Sequence, residues 1–483
     1  MRPWITAAII SLLLAVVSTL AFRRVEPPAP AYALTPEATP AAAQAPVTAP
    51  EAPTPAGGTA PAAAAGAERL ILFYTGEQRG YLEPCGCAKP MIGGIARRAK
   101  YLNHLPKGVA GIKVDNGDLI ELPDRQHELK AEALAQFYQK AAYDAVNLGE
   151  KDFRLGFAYL RYLQHLANVP FLSANVVRGE GKPAFGTYTL RSVTKGGKAI
   201  PIAIIGVIAP SHGATVTQWN PDLKVEDPGP VLDRLLPEIE GKAKLILLLF
   251  HGTPEEARPV LRARPWISLC VTAHEAEDYR ARPEYEGATM IVNAGQKGKY
   301  LGQLEIKTDA EGGVSPEALL AMPMEERIGD DPAVREILRQ YLRHVASENL
   351  LSKVPKQKSP NGQAYAGTAK CLSCHARPHQ VWKGSAHAKA YQTLVKAGHE
   401  RDPDCVGCHV VGLEVAGGFR TLEQTPQLKD VGCESCHLPQ ATHARNPKAA
   451  KPKKVGAASC ASCHVPDHSP RFNFKTYWAK IKH

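Results

Sequence analysis

The C-terminal quarter of the chain contains four copies of a cysteine and histidine pattern, Cys-x-x-Cys-His. Two cysteines at this spacing can bond covalently to the vinyl groups of one haem, and the histidine that follows can ligate the haem iron. Paired Cys-x-x-Cys units also bind zinc, and one unit alone can be a redox dithiol, but neither use requires the histidine in every copy. The pattern therefore predicts four covalently bound c-type haems and a function in electron transfer. The attachment residues are Cys371, Cys374, His375, Cys405, Cys408, His409, Cys433, Cys436, His437, Cys460, Cys463 and His464.

An apolar segment of 19 residues, Trp4–Phe22, begins near the N-terminus and has arginines on both sides. It is long enough to span a bilayer, and no small-residue cleavage site follows at the usual distance. Because haem is attached to such motifs outside the cytoplasm, we expect residues 1–24 to be a signal-anchor in the bacterial cytoplasmic membrane, with the rest on its periplasmic side. The alternative is a cleaved signal peptide and a freely periplasmic protein. Residues 25–67 are rich in Pro and Ala, which predicts a disordered linker.

The positive charge of the chain is concentrated in the haem-binding part. From residue 351 onward there are 20 Lys and Arg against 8 Asp and Glu, a formal charge of +12, whereas the preceding residues sum to −1. The propionates of bound haems offset much of this charge, so the composition does not indicate a nucleic-acid partner. The expected partners are periplasmic or membrane redox proteins, together with the inner membrane itself through the N-terminal helix.

Residues 68–325 alternate strand-like apolar runs with amphipathic helical stretches, which predicts an α/β domain. Gly196-Gly197 predicts the turn of a hairpin over Tyr188–Ile208. A connector with a long helix, Asp331–Leu350, occupies residues 326–365, and the haem domain is expected over 366–483. The other strand candidates are Leu70–Tyr74, Gly111–Val114, Leu245–Phe250 and Ile267–Thr272, and the other helix candidates are Ile95–Asn103 and Gln126–Ala142.

Polar motifs follow several of these elements in a fixed order. They are Thr75-Gly76-Glu77-Gln78-Arg79-Gly80, Gly93-Gly94, Asp115-Asn116-Gly117-Asp118, Asn147-Leu148-Gly149-Glu150-Lys151-Asp152-Phe153, Phe250-His251-Gly252 and Ala273-His274-Glu275-Ala276. This order resembles the calcineurin-like metallophosphoesterases, in particular the periplasmic 5′-nucleotidases. The resemblance implies an α/β sandwich of four layers (αββα). In that family the motifs hold two divalent metals, which activate a water and bind a phosphoryl group.

The motifs keep only part of the ligand set that the resemblance implies. Asp118, His251 and His274 stand at ligand positions. Five positions differ: Glu77 replaces an aspartate, Arg79 a histidine, Glu150 the bridging asparagine, Lys151 the catalytic histidine and Ala276 the last histidine. Because cationic side chains oppose a pair of metal ions, we expect a scaffold that has lost phosphoesterase activity. The alternative is one divalent metal held by Glu77, Asp118 and His251 or His274.

Three cysteines lie outside the haem motifs: Cys85, Cys87 and Cys270. Cys85 and Cys87 are separated by one glycine, too close for an unstrained disulfide between them. Two hypotheses are open. Either one of the pair bonds Cys270 and the other stays free, or both thiols lie beside the former metal site as soft ligands or a redox pair.

The haem region contains further motifs beside the attachment sites. They are Trp382-Lys383-Gly384-Ser385-Ala386-His387-Ala388, Asp402-Pro403-Asp404, Gly432-Cys433-Glu434-Ser435-Cys436-His437, and Ser469-Pro470-Arg471-Phe472 followed by Tyr477-Trp478-Ala479-Lys480-Ile481-Lys482-His483. This arrangement resembles the tetrahaem cytochrome c-554-like domains, which implies a mostly α-helical, loop-rich fold. It also implies that His387 and His443 are distal iron ligands.

We add His483 as a third distal ligand, because it ends an aromatic, amphipathic turn. His379, His399 and His468 compete for the fourth place, and one haem is five-coordinate if none of them binds iron. The sequence thus favours an electron carrier with a phosphoesterase-like domain for docking or regulation. The alternative is a hydrolase or oxidoreductase that acts on a small anion in the α/β domain and passes electrons to the haems.

Overall fold

The computed structural model of the chain describes residues 69–85, 91–275, 277–279, 282–308, 314–452 and 454–483. The proposed anchor Trp4–Phe22, the linker 25–67 and Cys87 lie outside these residues. Over the described ranges, no helix combines the length and the apolar character that crossing a bilayer requires.

Two six-stranded sheets form the centre of the α/β domain. The strands are β1 (Arg69–Thr75), β2 (Pro84–Cys85), β3 (Ile92–Gly93), β4 (Val109–Asp115), β5 (Ala145–Asn147), β6 (Phe171–Leu172), β7 (Val176–Arg178), β8 (Lys182–Pro183), β9 (Tyr188–Lys195), β10 (Lys198–Ile208), β11 (Leu223–Val225), β12 (Leu245–His251), β13 (Leu269–Thr272), β14 (Glu284–Glu286), β15 (Thr289–Asn293), β16 (Tyr300–Thr308) and β17 (Val314–Pro323). The first sheet has the order β17-β16-β1-β4-β5-β6 and the second the order β14-β15-β13-β12-β10-β9.

The strands at the centre of each sheet are parallel. In the first sheet β1, β4, β5 and β6 run in one direction, and in the second sheet β10, β12, β13 and β15 do so. The carboxyl ends of parallel strands meet at one edge of a sheet, so the loops that follow them come together. The polar motifs of the sequence lie on these loops.

Side chains alternate between two apolar cores along each central strand. In β1, Leu70, Leu72 and Tyr74 pack between the sheets, whereas Ile71 and Phe73 face the helices that cover the first sheet. β12 is buried along its whole length and alternates in the same way. Such doubly covered strands are apolar on both faces, which is why their sequences read as continuous apolar runs.

Helices cover the outer face of each sheet and complete the four layers. The helices are α1 (Ile95–Leu102), α2 (Arg125–Lys140), α3 (Phe157–Ala167), α4 (Gly213–Trp219), α5 (Pro228–Ile239), α6 (Pro254–Arg262), α7 (Pro332–Ser347), α8 (Leu350–Lys353), α9 (Thr368–Leu372), α10 (Ala376–Lys383), α11 (Ala390–Ala397), α12 (Pro403–Val406), α13 (Cys433–His437), α14 (Ala441–Arg445), α15 (Ala457–Cys460) and α16 (Phe474–Ile481). α1, α2, α3 and α7 pack on the first sheet, and α5 and α6 pack on the second. The predicted αββα architecture is confirmed, as is the hairpin at Gly196-Gly197, where both residues have positive φ.

The haem region, from α9 onward, consists of short helices and long loops, as predicted. Its apolar core is small and centres on Val406, Val411 and Phe419. The connector contributes to both parts of the chain, because Leu350 packs in the core of the α/β domain and the next residue, Leu351, packs in the haem-region core.

Substitution of Gly117 can show how tightly the loops at the sheet edge are packed. Its φ is +88°, and a Cβ there would lie 2.4 Å from the backbone nitrogen of Gly149. Gly117→Ala should therefore destabilise the α/β domain by about 3 kcal/mol or more, the sum of left-handed strain and a clash with backbone. Gly241→Ala is the matched control, since Gly241 also has positive φ but no atom near its Cβ position, and it should cost about 1 kcal/mol. Equal losses of unfolding free energy in denaturant titrations would contradict this account.

Candidate haem and metal sites

The Cys-x-x-Cys-His motifs are built on short helical turns. The His375 N–H donates to the Cys371 carbonyl at 2.9 Å, and the His464 N–H donates to the Cys460 carbonyl at 2.9 Å. Residues at positions i, i+3 and i+4 of such a turn share one face, so both thiols and the imidazole point to the same side. All eight motif cysteines are free thiols. The motifs therefore fit covalent haem attachment at two cysteines and one histidine.

Each of the three predicted distal histidines has its ring near that of a motif histidine. The ring centroids are 6.1 Å apart for His375 and His443, 6.2 Å for His464 and His387, and 6.0 Å for His437 and His483. Two imidazoles on opposite sides of one metal, each with a metal–nitrogen distance of about 2 Å, have centroids about 6 Å apart. The three pairs are spaced as two axial ligands of one iron require.

Hydrogen bonds orient several of these imidazoles. The neutral ring donates from Nδ1, which leaves the lone pair of Nε2 for a metal. The Nδ1 contacts are from His409 to the Ala390 carbonyl at 2.7 Å, from His443 to the Ala450 carbonyl at 2.8 Å, from His464 to the Ser469 hydroxyl at 3.1 Å, and from His483 to the Ile481 carbonyl at 3.0 Å.

Among the residues that the structure describes, no ring contact pairs His409 with a second histidine, as it does for the other three motif histidines. His399 has both ring nitrogens at carboxylates, with Nε2 at 2.5 Å from Glu83 and Nδ1 at 3.3 Å from Asp402. Burial disfavours its charged form, but these contacts outweigh burial and raise the pKa of His399 to about 12. His379 packs against Trp382 instead. Neither histidine is arranged as a sixth ligand for the haem of His409.

Glu434, inside the third motif, is a structural residue that the sequence analysis did not single out. Its buried carboxylate accepts backbone hydrogen bonds from Ala366 at 2.9 Å, Gly367 at 2.7 Å and Gln440 at 2.8 Å. It thereby ties the segment before the first haem motif to the third motif. The feature of the sequence that could have indicated this role is the position of Glu434, an acidic residue between the attachment cysteines Cys433 and Cys436.

The second site lies at the sheet edge of the α/β domain. Asp118 follows β4, Glu150 follows β5, His251 ends β12 and His274 follows β13. One potential ligand atom from each of these four residues lies within 4.8 Å of the others. His251 Nε2 is 3.0 Å from Glu150 Oε2, 3.0 Å from His274 Nε2 and 3.4 Å from Asp118 Oδ1.

Buried carboxylates set the electrostatics of this cluster. Burial opposes the charged form of His251, but Asp118 and Glu150 raise the pKa of its imidazole well above the ordinary value. Burial also opposes ionisation of Glu150, yet hydrogen bonds from His251 and His274 lower the pKa of that carboxyl. Asp152 fixes the surrounding loops by accepting from the backbone nitrogens of Asp118, Leu119 and Gly149.

The ligand set expected from the sequence needs two corrections. Glu77 lies outside the four-residue cluster, because its Oε1 pairs with the Arg79 guanidinium at 2.7 Å and its Oε2 accepts from the His274 backbone nitrogen. Glu150, which stands where the family has a bridging asparagine, lies within the cluster. Lys151 extends to Asp118, with Nζ 3.2 Å from Oδ2.

The backbone is strained at this site. Glu77, Arg79, Asp118 and His274 all have φ between +47° and +56°, although none is glycine. Such conformations persist where the surrounding structure holds them, and they occur preferentially at functional sites. The strain supports the interpretation of this edge as a binding site.

Cys270 does not form a disulfide. It is a free thiol, fully buried in β13 on the side that faces α5 and α6. Burial raises the pKa of this thiol well above its ordinary value. The hypothesis of a bond to Cys85 or Cys87 is wrong, because the side chain points into a packed core and away from the loops.

The haem region and the α/β domain contact each other through ion pairs. Asp404, next to the second attachment site, lies 2.5 Å from the Lys130 ammonium of α2. Asp467, three residues after His464, lies 2.5 Å from the Lys297 ammonium and accepts from the Tyr81 hydroxyl at 3.3 Å.

Known proteins resemble the two parts of the chain separately. The family model for cytochrome c554 and c-prime matches residues 370–438. Cytochrome c-554 of Nitrosomonas europaea is 42% identical over 90 residues, which cover 16% of this chain and 38% of that protein. The snake venom 5′-nucleotidase of Crotalus adamanteus is 25% identical over 310 residues, which cover 56% of this chain and 51% of that protein. The chain thus spans about half or less of the curated relatives it matches.

A solved structure supports the fold of the α/β part. The sulfate thiohydrolase SoxB of Thermus thermophilus, in complex with glycerol, superposes with a TM-score of 0.50 at 18% sequence identity, covering 57% of this chain and 60% of that one. The resemblance to the metallophosphoesterase fold that the motifs implied is confirmed. At this identity the likeness concerns the fold alone.

Glu434→Ala should destabilise the haem region by about 3 kcal/mol, because three backbone donors lose a charged acceptor in a buried place. Glu434→Gln should lose less. The control is Glu423→Ala, since Glu423 is exposed in the same region and pairs only loosely, at 3.5 Å, with Arg401. Denaturant titrations followed by Soret absorbance measure the difference, and equal midpoints for the two alanine variants would refute the role of Glu434.

Proposed function

We propose that this chain, which joins a cytochrome c554 domain to a metallophosphoesterase-like α/β domain, is a periplasmic electron carrier with four covalently bound haems. The observation that carries the proposal is the set of three imidazole pairs with centroids 6.0–6.2 Å apart. Each pair joins one motif histidine to a histidine from elsewhere in the haem region. Two neutral imidazoles on one iron favour a low-spin centre suited to electron transfer.

The haem at His409 is the exception in this proposal. Its motif supplies one imidazole, oriented by the Ala390 carbonyl, and no ring contact between the described residues pairs it with a second histidine. An iron with an open position can bind a small molecule as well as carry electrons. This haem is therefore proposed as the five-coordinate one.

Contacts between attachment cysteines support an order for electron flow. Cys371 of the first motif contacts Cys433 of the third, and Cys408 of the second contacts Cys463 of the fourth. Cys436 of the third motif lies near Cys460 and Cys463 of the fourth. The order proposed is first, third, fourth and second haem, which ends at the haem of His409.

The amino-acid sequence is the basis for proposing a compartment and a membrane anchor. Covalent haem attachment supports a periplasmic location, and the apolar segment Trp4–Phe22 supports tethering to the cytoplasmic membrane. Other redox proteins of the periplasm or membrane are the proposed partners.

The ligand assignment can be tested by substitution. His483→Ala should convert one of four haems from low spin to high spin, because its iron loses an imidazole and gains no replacement. Electron paramagnetic resonance counts the low-spin centres, and the mass of the denatured chain should include four haems. His379→Ala is the control and should leave the low-spin count unchanged, since His379 packs against Trp382. An unchanged count in His483→Ala would remove His483 from the ligand set.

A second candidate function is electron exchange between the α/β site and the haem of His464. The contact of Lys297 with Asp467 favours it, because the Lys297 backbone nitrogen also donates to the Glu77 carbonyl at 2.8 Å. Glu77 in turn accepts from the backbone of His274. A chain of direct contacts thus links the cluster to the segment that carries the fourth haem.

Replacing Lys297 with Met tests this link. Loss of a positive charge beside Asp467, three residues after His464, should lower the potential of the His464 haem, because less positive surroundings favour the ferric state. Lys307→Met is the control, because Lys307 lies on β16 and pairs with Glu305 and Glu317 instead. Spectroscopic redox titration should show a shift confined to one haem. A shift shared by all haems, or none, would argue against the link.

A further inference from the structure

We propose that the α/β domain binds one divalent transition metal through Asp118, Glu150, His251 and His274, and that Lys151 takes the place of a second metal. The proposal is independent of the haem function. It differs from the two-metal site that the fold family implies and from a scaffold without any metal.

One potential ligand atom from each of the four residues lies within 4.8 Å of the others. His251 contacts the Asn116 carbonyl through Nδ1 at 2.5 Å, so loss of the Nε2 proton would leave a lone pair directed at the cluster. Glu150 Oε2 and His274 Nε2 are each 3.0 Å from that nitrogen. Acceptor atoms that face each other in a buried place repel unless a cation or a proton lies between them.

Gly149 keeps the space beside these ligands open. A Cβ at this position would lie 2.3 Å from Asp118 Oδ1 and 2.6 Å from His251 Nε2. Any side chain here would therefore fill the point where the ligand atoms meet.

The donor set indicates the class of metal. Two imidazole nitrogens and two carboxylate oxygens suit zinc, iron or manganese, whereas calcium and magnesium prefer oxygen ligands alone. Hydrogen bonding of the other ring nitrogen, as His251 makes with Asn116, is the usual support for a metal-ligating histidine.

The second metal position does not fit these residues. The two oxygens of Asp118 face different side chains: Oδ1 lies 3.4 Å from His251 Nε2, and Oδ2 lies 3.2 Å from the Lys151 ammonium. The side chain of Lys151 is only 11% exposed and also reaches Glu121 at 3.1 Å. A metal bridged by Asp118 to the first one would have to displace this ammonium against charge repulsion.

Arg79 adds a second cation that interacts with Asp118. Its guanidinium pairs with Glu77 at 2.7 Å and extends towards Glu121 at 3.7 Å. Two carboxylates that a second metal would use are thus already paired with cations: Asp118 with Lys151, and Glu77 with Arg79. One metal and two cationic side chains together balance the buried acidic groups.

Metal counting on the full-length haem-loaded protein tests the proposal. After chelator treatment, the protein is equilibrated with zinc chloride at a free concentration held by a competing chelator, and zinc and iron are counted per chain. The expected result is one zinc beside the haem iron. Two zinc ions would overturn the role of Lys151. No zinc would overturn the metal site.

Two variants identify where the zinc binds. His274→Gln should lose the zinc, and because His274 is partly exposed the change leaves the apolar cores untouched. His165→Gln, on the exposed side of α3, should keep it. Retention of one zinc in His274→Gln would contradict the assignment. Haem content and Soret absorbance, measured on the same samples, report folding and keep this result separate from the haem proposal.

A second group of potential metal ligands should not add to the number of zinc ions counted per chain. His399, Asp402 and Cys405 also lie close together. Cys405 is a haem-attachment residue, so its thiol is consumed in the haem-loaded protein.

Discussion

The haem region has too little apolar core to hold itself together, and much of the chain follows from this constraint. Its buried apolar residues form one small group around Phe419, to which the connector adds Leu351. Covalently attached cofactors must supply much of the remaining stability, as metals do in small metal-binding domains. Polar contacts supply another part: Glu434 joins the first and third motif segments, and Asp404 and Asp467 bind lysines of the α/β domain. The α/β domain therefore supports the haem region whether or not it performs chemistry of its own.

Charge balance explains the replacements at the sheet edge. Glu77, Asp118 and Glu150 are all buried, and a buried carboxylate is unfavourable without a cation beside it. Where a metal would have supplied that charge, Arg79 and Lys151 supply it instead. An apolar side chain at either place would leave an uncompensated anion. The fold thus keeps its acidic loops, and the identity of the cations beside them has changed.

The sequence predicts regular elements and local motifs well. Apolar periodicity located the central strands, and the two glycines located the hairpin turn, because each depends on neighbours in the chain. The Cys-x-x-Cys-His motifs are equally local. The site was predicted less completely. Position in a motif suggested Glu77 as a ligand, but the nearby Arg79 draws its carboxylate away, and Glu150 points into the cluster instead. The pairing of His387 with His464 rather than with the nearer His375 depends on packing that no spacing reveals. Cys270 shows the same limit, since an odd number of cysteines says nothing about which face of a strand each one occupies.

The adjacent leucines of the connector determine how the two parts can be separated. Leu350 is buried in the core of the α/β domain and Leu351 in the core of the haem region, so the boundary between the two cores falls at a single peptide bond. A cut before Leu350 would leave the haem-region fragment with the Leu350 side chain, which has lost its partners in the α/β core. A cut after Leu351 would leave the α/β fragment with the Leu351 side chain, which has lost its partners in the haem-region core. Only a cut at this one peptide bond leaves each leucine with its own core, so recombination or gene fission has no margin on either side of it. In evolutionary terms, a junction shifted by one residue in either direction would have to be accompanied by a change in one of the two cores.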